Sequence, residues 1–298
     1  MYSGDFESQK LSILKNVYGF QSFRTGQEQV VDSLLAGENT LAVMPTGSGK
    51  SLCFQIPSLM LGGLTIVVSP LVALMQDQVA ALRLNGVAAE TINSGRDRRD
   101  KIASWKKVKA GFTQILYMAP ERLMSERMLV ALGELPVKLF AIDEAHCISQ
   151  WGPSFRPEYE QLKRLSTLFP GLPIAALTAT ADKATREDIV DQLFNKKATV
   201  VVTGFDRPNI KLSVAGKDDW RRQMLSFLRT KKGDSGIIYC LSRKKTDDTA
   251  AFLIENGYVA LPYHAGLEKS ERVKNQDLFM TQEGVVMVAT IAFGMGID

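Results

Sequence analysis

The feature that most constrains the fold is a short glycine-rich run that follows an apolar block at residues 40–44. The run consists of Thr46, Gly47, Ser48, Gly49, Lys50 and Ser51. Glycines at this spacing let backbone N–H groups close around phosphates, a lysine neutralises their charge, and the last hydroxyl can bind Mg²⁺. The strict eight-residue pattern of phosphate-binding loops begins with glycine, and this chain has Met44 at that position. Because a helical pattern follows at residues 51–61, the run predicts a phosphate-binding loop; a short turn with a capping serine is the alternative.

An acidic pair, Asp143 and Glu144, directly follows the apolar block at residues 139–142. The carboxyl ends of strands are where open α/β sheets place ligand chemistry. Asp143 would hold Mg²⁺ through water, and Glu144 would orient and deprotonate an attacking water. Taken alone, the pair is also typical of a helix N-cap with a first-turn carboxylate. Combined with the phosphate loop, it indicates a nucleoside triphosphatase site whose catalytic residues include Lys50, Asp143 and Glu144.

Apolar blocks of strand length alternate with helical patterns along the chain, which predicts an α/β fold with mostly parallel sheets. The blocks lie at residues 40–44, 64–69, 114–118, 139–142, 174–177 and 199–202, and then at 235–240, 259–263 and 285–289. We therefore predict two lobes, residues 1–205 and 206–298, joined near residues 203–216. The second lobe stops soon after a strand, so we expect it to be an incomplete part of a longer fold.

Composition narrows the class of protein. The chain has 298 residues, of which 45% are apolar and 23% charged, which excludes disorder, collagen and coiled coil as overall classes. Its net charge of +4 permits a polyanionic partner without requiring one. The three cysteines are too few and scattered for a disulfide framework and suit a reducing interior. With no apolar run of membrane-span length and no signal peptide, we expect a soluble, intracellular protein without a membrane partner.

The two histidines, His146 and His264, both lie beside candidate site segments. Neither has metal-ligand spacing to another histidine or a cysteine, so zinc catalysis is disfavoured. A packed core or surface position is the ordinary alternative for either histidine.

Eight segments, taken in chain order, resemble the RecQ family of superfamily 2 DNA helicases. They lie at residues 18–27, 44–51, 143–152, 155–159, 177–181, 236–240, 263–267 and 288–297. The third reads Asp-Glu-Ala-His-Cys-Ile-Ser-Gln-Trp-Gly and the fourth Phe-Arg-Pro-Glu-Tyr. The resemblance covers essentially the whole chain. It implies two RecA-like lobes of a P-loop NTPase, the first binding ATP and carrying the Asp-Glu-Ala-His box.

The resemblance also implies roles for residues around the nucleotide. Gln27 would read adenine, because its amide can pair with the base's amino group and ring nitrogen, while Arg24 would stack its guanidinium on the ring. A helix connection with a buried Phe23 is the alternative for this segment. His146 joins the catalytic set because it follows the acidic pair, and Ser51 and Asp143 would be the Mg²⁺ ligands.

Further residues are expected to contact nucleic acid. Trp151, Phe155 and Arg156 match an aromatic-rich loop on which single-stranded bases would stack. Pro153 and Ser154 depart from the family pattern there, and a core-packed turn is the alternative. Residues expected to hold the sugar-phosphate backbone are Ser69, Gln76 and Arg122 in the first lobe and Ser242, Arg243 and Thr290 in the second. Thr178 and Thr180 resemble the pair that couples the nucleotide state to lobe motion, with a hydrogen-bonded turn as the alternative.

The resemblance thus implies an ATP-dependent 3′–5′ DNA helicase of RecQ type, acting in DNA repair and recombination. Its cofactors would be ATP and Mg²⁺, with no zinc in this chain, and its partner single-stranded and partly duplex DNA. It would be cytoplasmic, nucleoid-associated in a bacterium and nuclear in a eukaryote. Family arginines that reach the γ-phosphate would follow Asp298, so we expect this chain to bind ATP and hydrolyse it poorly. The alternatives are a DEAD/DEAH-type RNA helicase and a non-catalytic, nucleotide-gated DNA-binding module.

Overall fold

A computed structural model describes residues 3–93, 95, 97–149, 156–204, 210–290 and 293. The chain divides into two compact units, Met1–Asp206 and Arg207–Asp298. The division falls within the polar stretch 203–216 that the sequence marks as a linker. Each unit has its own parallel sheet.

The first unit is built on seven parallel strands in the order β3-β4-β2-β5-β6-β1-β7. The strands are β1 (Thr40–Val43), β2 (Leu64–Val68), β3 (Ala89–Ile92), β4 (Ile115–Met118), β5 (Val137–Ile142), β6 (Ile174–Thr178) and β7 (Thr199–Val202). The helices are α1 (Ser3–Asn16), α2 (Gln27–Leu35), α3 (Leu52–Met60), α4 (Val72–Leu84), α5 (Arg98–Lys109), α6 (Pro120–Leu123), α7 (Glu126–Gly133), α8 (Pro157–Glu160), α9 (Leu165–Leu168) and α10 (Lys183–Phe194), with 3₁₀ turns at Ala145–Ile148 and Gln161–Arg164.

The strands β1, β2, β4 and β6 are buried along their whole length, which explains why they read as continuous apolar runs, whereas the edge strand β7 is partly exposed. Successive side chains point to opposite faces of a strand. Leu41 and Val43 of β1 accordingly join one hydrophobic cluster, while Ala42 and the following Met44 join the cluster on the other face. The core of the first unit therefore has two apolar layers, one on each face of the sheet.

The helix after the glycine-rich run begins at Leu52 and includes Pro57. Ser51 already has helical backbone angles, and its side chain makes no capping hydrogen bond. The capping-serine alternative is therefore not what the structure shows. Among the described residues, no helix has both the length and the apolar character that crossing a bilayer requires.

The strand β3 was not predicted from the sequence, because two of its residues, Glu90 and Thr91, are polar. Both are buried nonetheless. The Glu90 carboxylate lies 2.7 Å from Arg83 Nη2 and 2.8 Å from Lys107 Nζ, and it accepts a 2.6 Å hydrogen bond from Ser104 Oγ. A buried carboxylate is tolerated when it is paired in this way. Glu90 thus ties the edge strand to the helices on either side of it in sequence.

We expect Glu90→Gln to destabilise the first unit by about 1–3 kcal/mol, because a neutral amide no longer pairs with the charges of Arg83 and Lys107. Burial opposes the charge, but the hydrogen bonds from Lys107 and Ser104 lower the pKa of Glu90 below its usual value. Its contribution is therefore present at neutral pH and lost as the pH falls through that lowered pKa. Urea unfolding at neutral and acidic pH gives the free energy of unfolding of the wild type and the variant. If the difference between these free energies is as large in acid as at neutral pH, the electrostatic explanation is wrong.

The second unit has three parallel strands in the order β8-β10-β9. The strands are β8 (Gly236–Tyr239), β9 (Val259–Tyr263) and β10 (Val285–Ala289), and the helices are α11 (Trp220–Arg229), α12 (Arg243–Glu255) and α13 (Lys269–Thr281). All three strands predicted for this lobe are present, and α12 follows the first of them. The central strand β10 is buried along its whole length.

Candidate active site

The three chain segments that carry candidate chemistry in the first unit meet at the carboxyl edge of its sheet. The glycine-rich run follows β1, Thr178 ends β6, and Asp143 follows β5. Strand β6 lies between β5 and β1, and its Thr178 pairs with Val43. Since neighbouring strands are about 4.8 Å apart, the ends of β1 and β5 are separated by about 10 Å, a gap that a phosphate chain and a metal ion can span.

The glycine-rich run has the backbone that a phosphate loop needs. Gly47 and Gly49 adopt positive φ angles of 75° and 77°, where other residues are strained. Lys50 Nζ donates to the Pro45 carbonyl across the loop at 3.3 Å. The Ser48 hydroxyl is buried with no hydrogen-bond partner. An orphaned buried hydroxyl in such a loop is suited to bind a ligand oxygen.

Gln27 and Arg24 both contact the backbone of this loop. The Gln27 side chain is almost fully buried and donates to the carbonyls of Ser48 at 2.9 Å and Gly49 at 3.0 Å. Its Oε1 accepts from the Arg24 backbone N–H at 2.8 Å, and the Arg24 guanidinium donates to the Gly47 carbonyl. The adenine roles of the two residues stay predictions. What the geometry adds is that the Gln27 amide also shapes the phosphate loop.

Asp143 lies in the interior of the site. Its Oδ1 accepts from the Glu144 N–H at 3.0 Å, and its carbonyl accepts from the Tyr159 hydroxyl at 3.1 Å. Burial and the neighbouring Glu144 charge raise the pKa of Asp143 to about 7, while the charge of Lys50 opposes this rise. Lys50 also lowers the pKa of Glu144. The loop lysine and the acidic pair therefore share one electrostatic environment.

Glu144 adopts a left-handed backbone, with φ 50° and ψ 44°, which is uncommon for a residue with a long side chain. Such conformations are concentrated at functional sites, where surrounding structure maintains them. Burial opposes its ionisation, but the hydrogen bond from His146, with the charges of His146 and Lys50, lowers the pKa of Glu144 below its usual value. Glu144 is therefore a carboxylate at neutral pH.

His146 links the acidic pair to the neighbouring strand. Its Nδ1 lies 3.2 Å from Glu144 Oε2 and 2.8 Å from Thr178 Oγ1. Hydrogen bonds with Cys147 and Glu144 raise the pKa of His146 to about 9, so the ring is protonated at neutral pH. Thr178 Oγ1 in turn bonds the backbone of Thr180 at 3.2 Å. A continuous polar chain thus runs from the Glu144 carboxylate to the loop after β6.

Sequence reasoning did not single out Tyr159 or Cys147. Tyr159 is fully buried and donates to the backbone of Asp143, so it holds the end of β5 in place. Cys147 contacts the His146 ring. Both lie inside segments quoted for the family resemblance, but nothing in their residue type indicates which atoms they reach.

The nucleic-acid residues expected in the first lobe occupy different environments. Trp151 and Phe155 lie outside the described residues. Arg156 Nη1 lies 3.5 Å from the Pro70 carbonyl. The Ser69 hydroxyl is buried without a partner, whereas Gln76 and Arg122 are exposed on α4 and α6. Their nucleic-acid contacts remain predictions.

In the second unit, Ser242 caps α12 by accepting a 3.2 Å hydrogen bond from the Lys245 N–H, and Arg243 is exposed in the first turn. The Thr290 N–H donates to the Tyr263 carbonyl at 3.2 Å. His264 is buried, with Nε2 2.8 Å from Asp247 Oδ1 and Nδ1 accepting from the Gly266 N–H. His264 therefore orders the loop after β9.

The residues at the edge of the first sheet fit a nucleoside triphosphate with Mg²⁺. The buried Ser48 hydroxyl lacks a partner, and a cation would offset the burial of Asp143. Within the described part of the chain, no group of three or more His, Cys, Asp or Glu side chains could hold a metal ion. Mg²⁺ differs from metals that need such a cage, because it keeps several waters and takes one or two protein ligands with substrate phosphates. Ser51 and Asp143 are the residues that would hold it.

Comparison with known families agrees with this geometry. The profile described as DEAD/DEAH box helicase matches residues 24–189, more than half of the chain, and the helicase conserved C-terminal domain matches residues 218–298. The matched ranges include the phosphate loop, the acidic pair and, in the second unit, all three strands.

Individual relatives share more of the sequence. The ATP-dependent DNA helicase RecQ of Pasteurella multocida is 48% identical over 97% of this chain and 46% of its own length. The protein of the same name from Bacillus subtilis is 42% identical over 96% of this chain and 49% of its own length. The chain thus spans about half the length of these curated relatives.

Solved structures share the fold at low sequence identity. Saccharomyces cerevisiae Dbp5 bound to RNA and ADP BeF3 has a TM-score of 0.71 at 19% identity, over 95% of this chain and 75% of that one. Mycobacterium smegmatis helicase Lhr bound to ssDNA and AMP-PNP has a TM-score of 0.68 at 19% identity, over 97% of this chain and 42% of that one. The fold consists of two RecA-like helicase lobes, of which the second is small. The chain belongs to the DEAD/DEAH box helicases and, within them, to the RecQ family.

Proposed function

We propose that this chain forms the ATP-driven motor core of a RecQ-type DNA helicase. The observation that carries the proposal is the convergence of Lys50 with Asp143 and Glu144 at one edge of the first sheet, where β6 alone separates the strands that they follow. The Lys50 charge opposes the rise in the pKa of Asp143 and helps to lower the pKa of Glu144. Binding of ATP with Mg²⁺ at this edge, followed by hydrolysis, would drive translocation along single-stranded DNA in the 3′–5′ direction. Duplex unwinding in repair and recombination is the activity that follows from such movement.

The residues of the site divide the chemistry of phosphoryl transfer between them. Ser51 and Asp143 would hold Mg²⁺, which would supply positive charge against the triphosphate. Lys50 and the loop N–H groups bind the β- and γ-phosphates. Glu144, kept ionised beside the protonated His146, orients the attacking water and accepts its proton.

The polar chain from Glu144 through His146 to Thr178 provides a route by which DNA contact could affect hydrolysis. His146 contacts both the catalytic carboxylate and the hydroxyl at the end of β6. Arg156, which belongs to the segment expected to contact DNA, donates its backbone N–H to the Cys147 carbonyl at 2.9 Å. A shift of that segment on DNA binding would therefore reach the residue beside His146.

DNA is proposed as the partner because the relatives at 42–48% identity are named DNA helicases. The names of these relatives support DNA as the partner of this chain, which spans about half of their length. Single-stranded and partly duplex DNA would be bound through its backbone, in the first unit by Gln76, Arg122 and Arg156. In the second unit, Arg243 would make such a contact.

The test is ATP hydrolysis by the whole chain with no nucleic acid, with single-stranded DNA and with single-stranded RNA of the same sequence. We expect ATP binding and slow hydrolysis that DNA accelerates more than RNA does. Equal or greater stimulation by RNA would favour an RNA helicase. ATP-dependent DNA binding without hydrolysis would indicate a nucleotide-gated binding module, and absence of ATP binding would contradict the proposal.

A further inference from the structure

Lys10 of α1 is buried between the first two helices, although it takes no part in the chemistry above. Its side chain is 2% exposed, and its Nζ lies 2.7 Å from Glu7, 3.1 Å from Glu28 and 2.7 Å from Asp32. Lysine is rarely this buried unless it is paired. An ammonium group has three N–H donors, and three carboxylates satisfy all of them. Because Glu28 and Asp32 belong to α2, this cluster joins α1 to α2.

The ammonium remains charged in this environment. Burial opposes the charge, but hydrogen bonds to the three carboxylates raise the pKa of Lys10 above its ordinary value. The carboxylates themselves are half-exposed. They can therefore separate in water if the lysine is removed, and the loss of the cluster should loosen α1 from α2 without unfolding the unit.

Lys10 lies close to both ends of residues 23–28, the segment that reaches the phosphate loop. Its Nζ lies 6.0 Å from the centroid of the Phe23 ring on one side and 3.1 Å from Glu28 on the other. Arg24 and Gln27, the two residues that bond the loop, lie between these contacts. Lys10 thus fixes the segment from both flanks.

The segment has little room to move. A Cβ on Gly26 would lie 2.5 Å from Thr203 Cγ2, and a Cβ on Gly49 would lie 2.5 Å from Gln27 Nε2. Only glycine at these two positions lets the start of α2 pack this closely against the loop and against β7. A small rotation of α2 would withdraw the Gln27 amide from the loop carbonyls.

We propose that Lys10 is a positioning residue of the nucleotide site, which holds the start of α2 so that Gln27 keeps the phosphate loop in its binding shape. The inference rests on the proposed function, because it requires ATP to bind at this loop. Lys10 acts through Gln27 and makes no contact with the loop among the interactions described for it.

The test is a double-mutant cycle on the whole chain, with the affinity for ATP in the presence of Mg²⁺ measured by calorimetry. We expect Lys10→Met to weaken binding about fivefold, a size typical of coupling between neighbouring groups. Lys10→Arg keeps the charge and the donors and should bind ATP nearly as well as the wild type. In a Gln27→Ala background, Lys10→Met should have no further effect.

Lys107→Met is the matched control, since Lys107 also pairs with a carboxylate but lies at the opposite end of the sheet, beside β3. Thermal unfolding of both variants corrects for a general loss of stability. If Lys10→Met does not fold, Asp32→Asn removes the negative charge 2.7 Å from Lys10 Nζ on α2 and should weaken ATP binding in the same direction. An unchanged affinity for ATP in Lys10→Met, or additive effects of Lys10→Met and Gln27→Ala, would overturn the inference about Lys10 and leave the proposed function intact. Failure of the wild type to bind ATP would instead overturn the proposed function.

Discussion

Replacing Lys50 by methionine is expected to weaken the binding of ATP with Mg²⁺ about a hundredfold, or about 2.7 kcal/mol. Methionine keeps much of the length of the side chain and removes its charge. The Lys50 ammonium crosses the phosphate loop to the Pro45 carbonyl, and its charge opposes the rise in the pKa of Asp143 and helps to lower the pKa of Glu144. It is therefore placed to neutralise phosphate oxygens that would otherwise face two carboxylates.

Calorimetric titration of the variant and the wild type with ATP measures this effect. Lys109→Met is a suitable control, because it removes an exposed lysine from the last turn of α5 and changes the net charge equally. That control should bind ATP as the wild type does. Equal affinities of Lys50→Met and the control would show that Lys50 does not face the triphosphate.

Much of the first lobe follows directly from its sequence. Strands buried on both faces must be apolar throughout, so blocks such as residues 64–69 are visible without an alignment. Parallel strands share one carboxyl edge, which is why the residues after β1 and β5 could be expected to meet there. The exception is β3, where the ion pairs of Glu90 replace apolar burial. Local pattern cannot predict a polar strand whose partners come from distant parts of the chain.

The candidate site was less predictable than the sheet. Residue type indicated that Lys50, Asp143 and Glu144 act together, but the position of β6 between their strands depends on the order in which the sheet assembles. That order brings Thr178 against His146. The contact of the Gln27 amide with the loop carbonyls was equally unpredictable. It depends on where α2 packs in the fold, and spacing along the chain does not give that position.

The strained backbone of Glu144 and its bond to His146 lead to the other large expected effect. Glu144→Gln should lower ATP turnover by about 10²–10⁴-fold, the usual contribution of a positioned general base. Glutamine has nearly the same shape, but its amide does not accept a proton from water. The hydrogen bond from His146, with the charges of His146 and Lys50, overcomes the effect of burial and lowers the pKa of Glu144, so the wild-type residue is ionised at neutral pH and ready to accept one. ATP affinity should change little, because Lys50 and the loop N–H groups bind the phosphates.

Single-turnover hydrolysis, with the chain in excess over labelled ATP, makes even slow turnover measurable. Glu134→Gln is the matched control: it makes the same chemical change at an exposed glutamate that follows α7. A fall in turnover with retained ATP binding, seen only in Glu144→Gln, separates the general base from groups that merely bind nucleotide. Lys50→Met loses binding and turnover together, so the two variants have opposite signatures in the binding assay. If Glu144→Gln hydrolysed ATP at the wild-type rate, another group would have to activate the water, and the link from His146 to Thr178 could not control hydrolysis through Glu144.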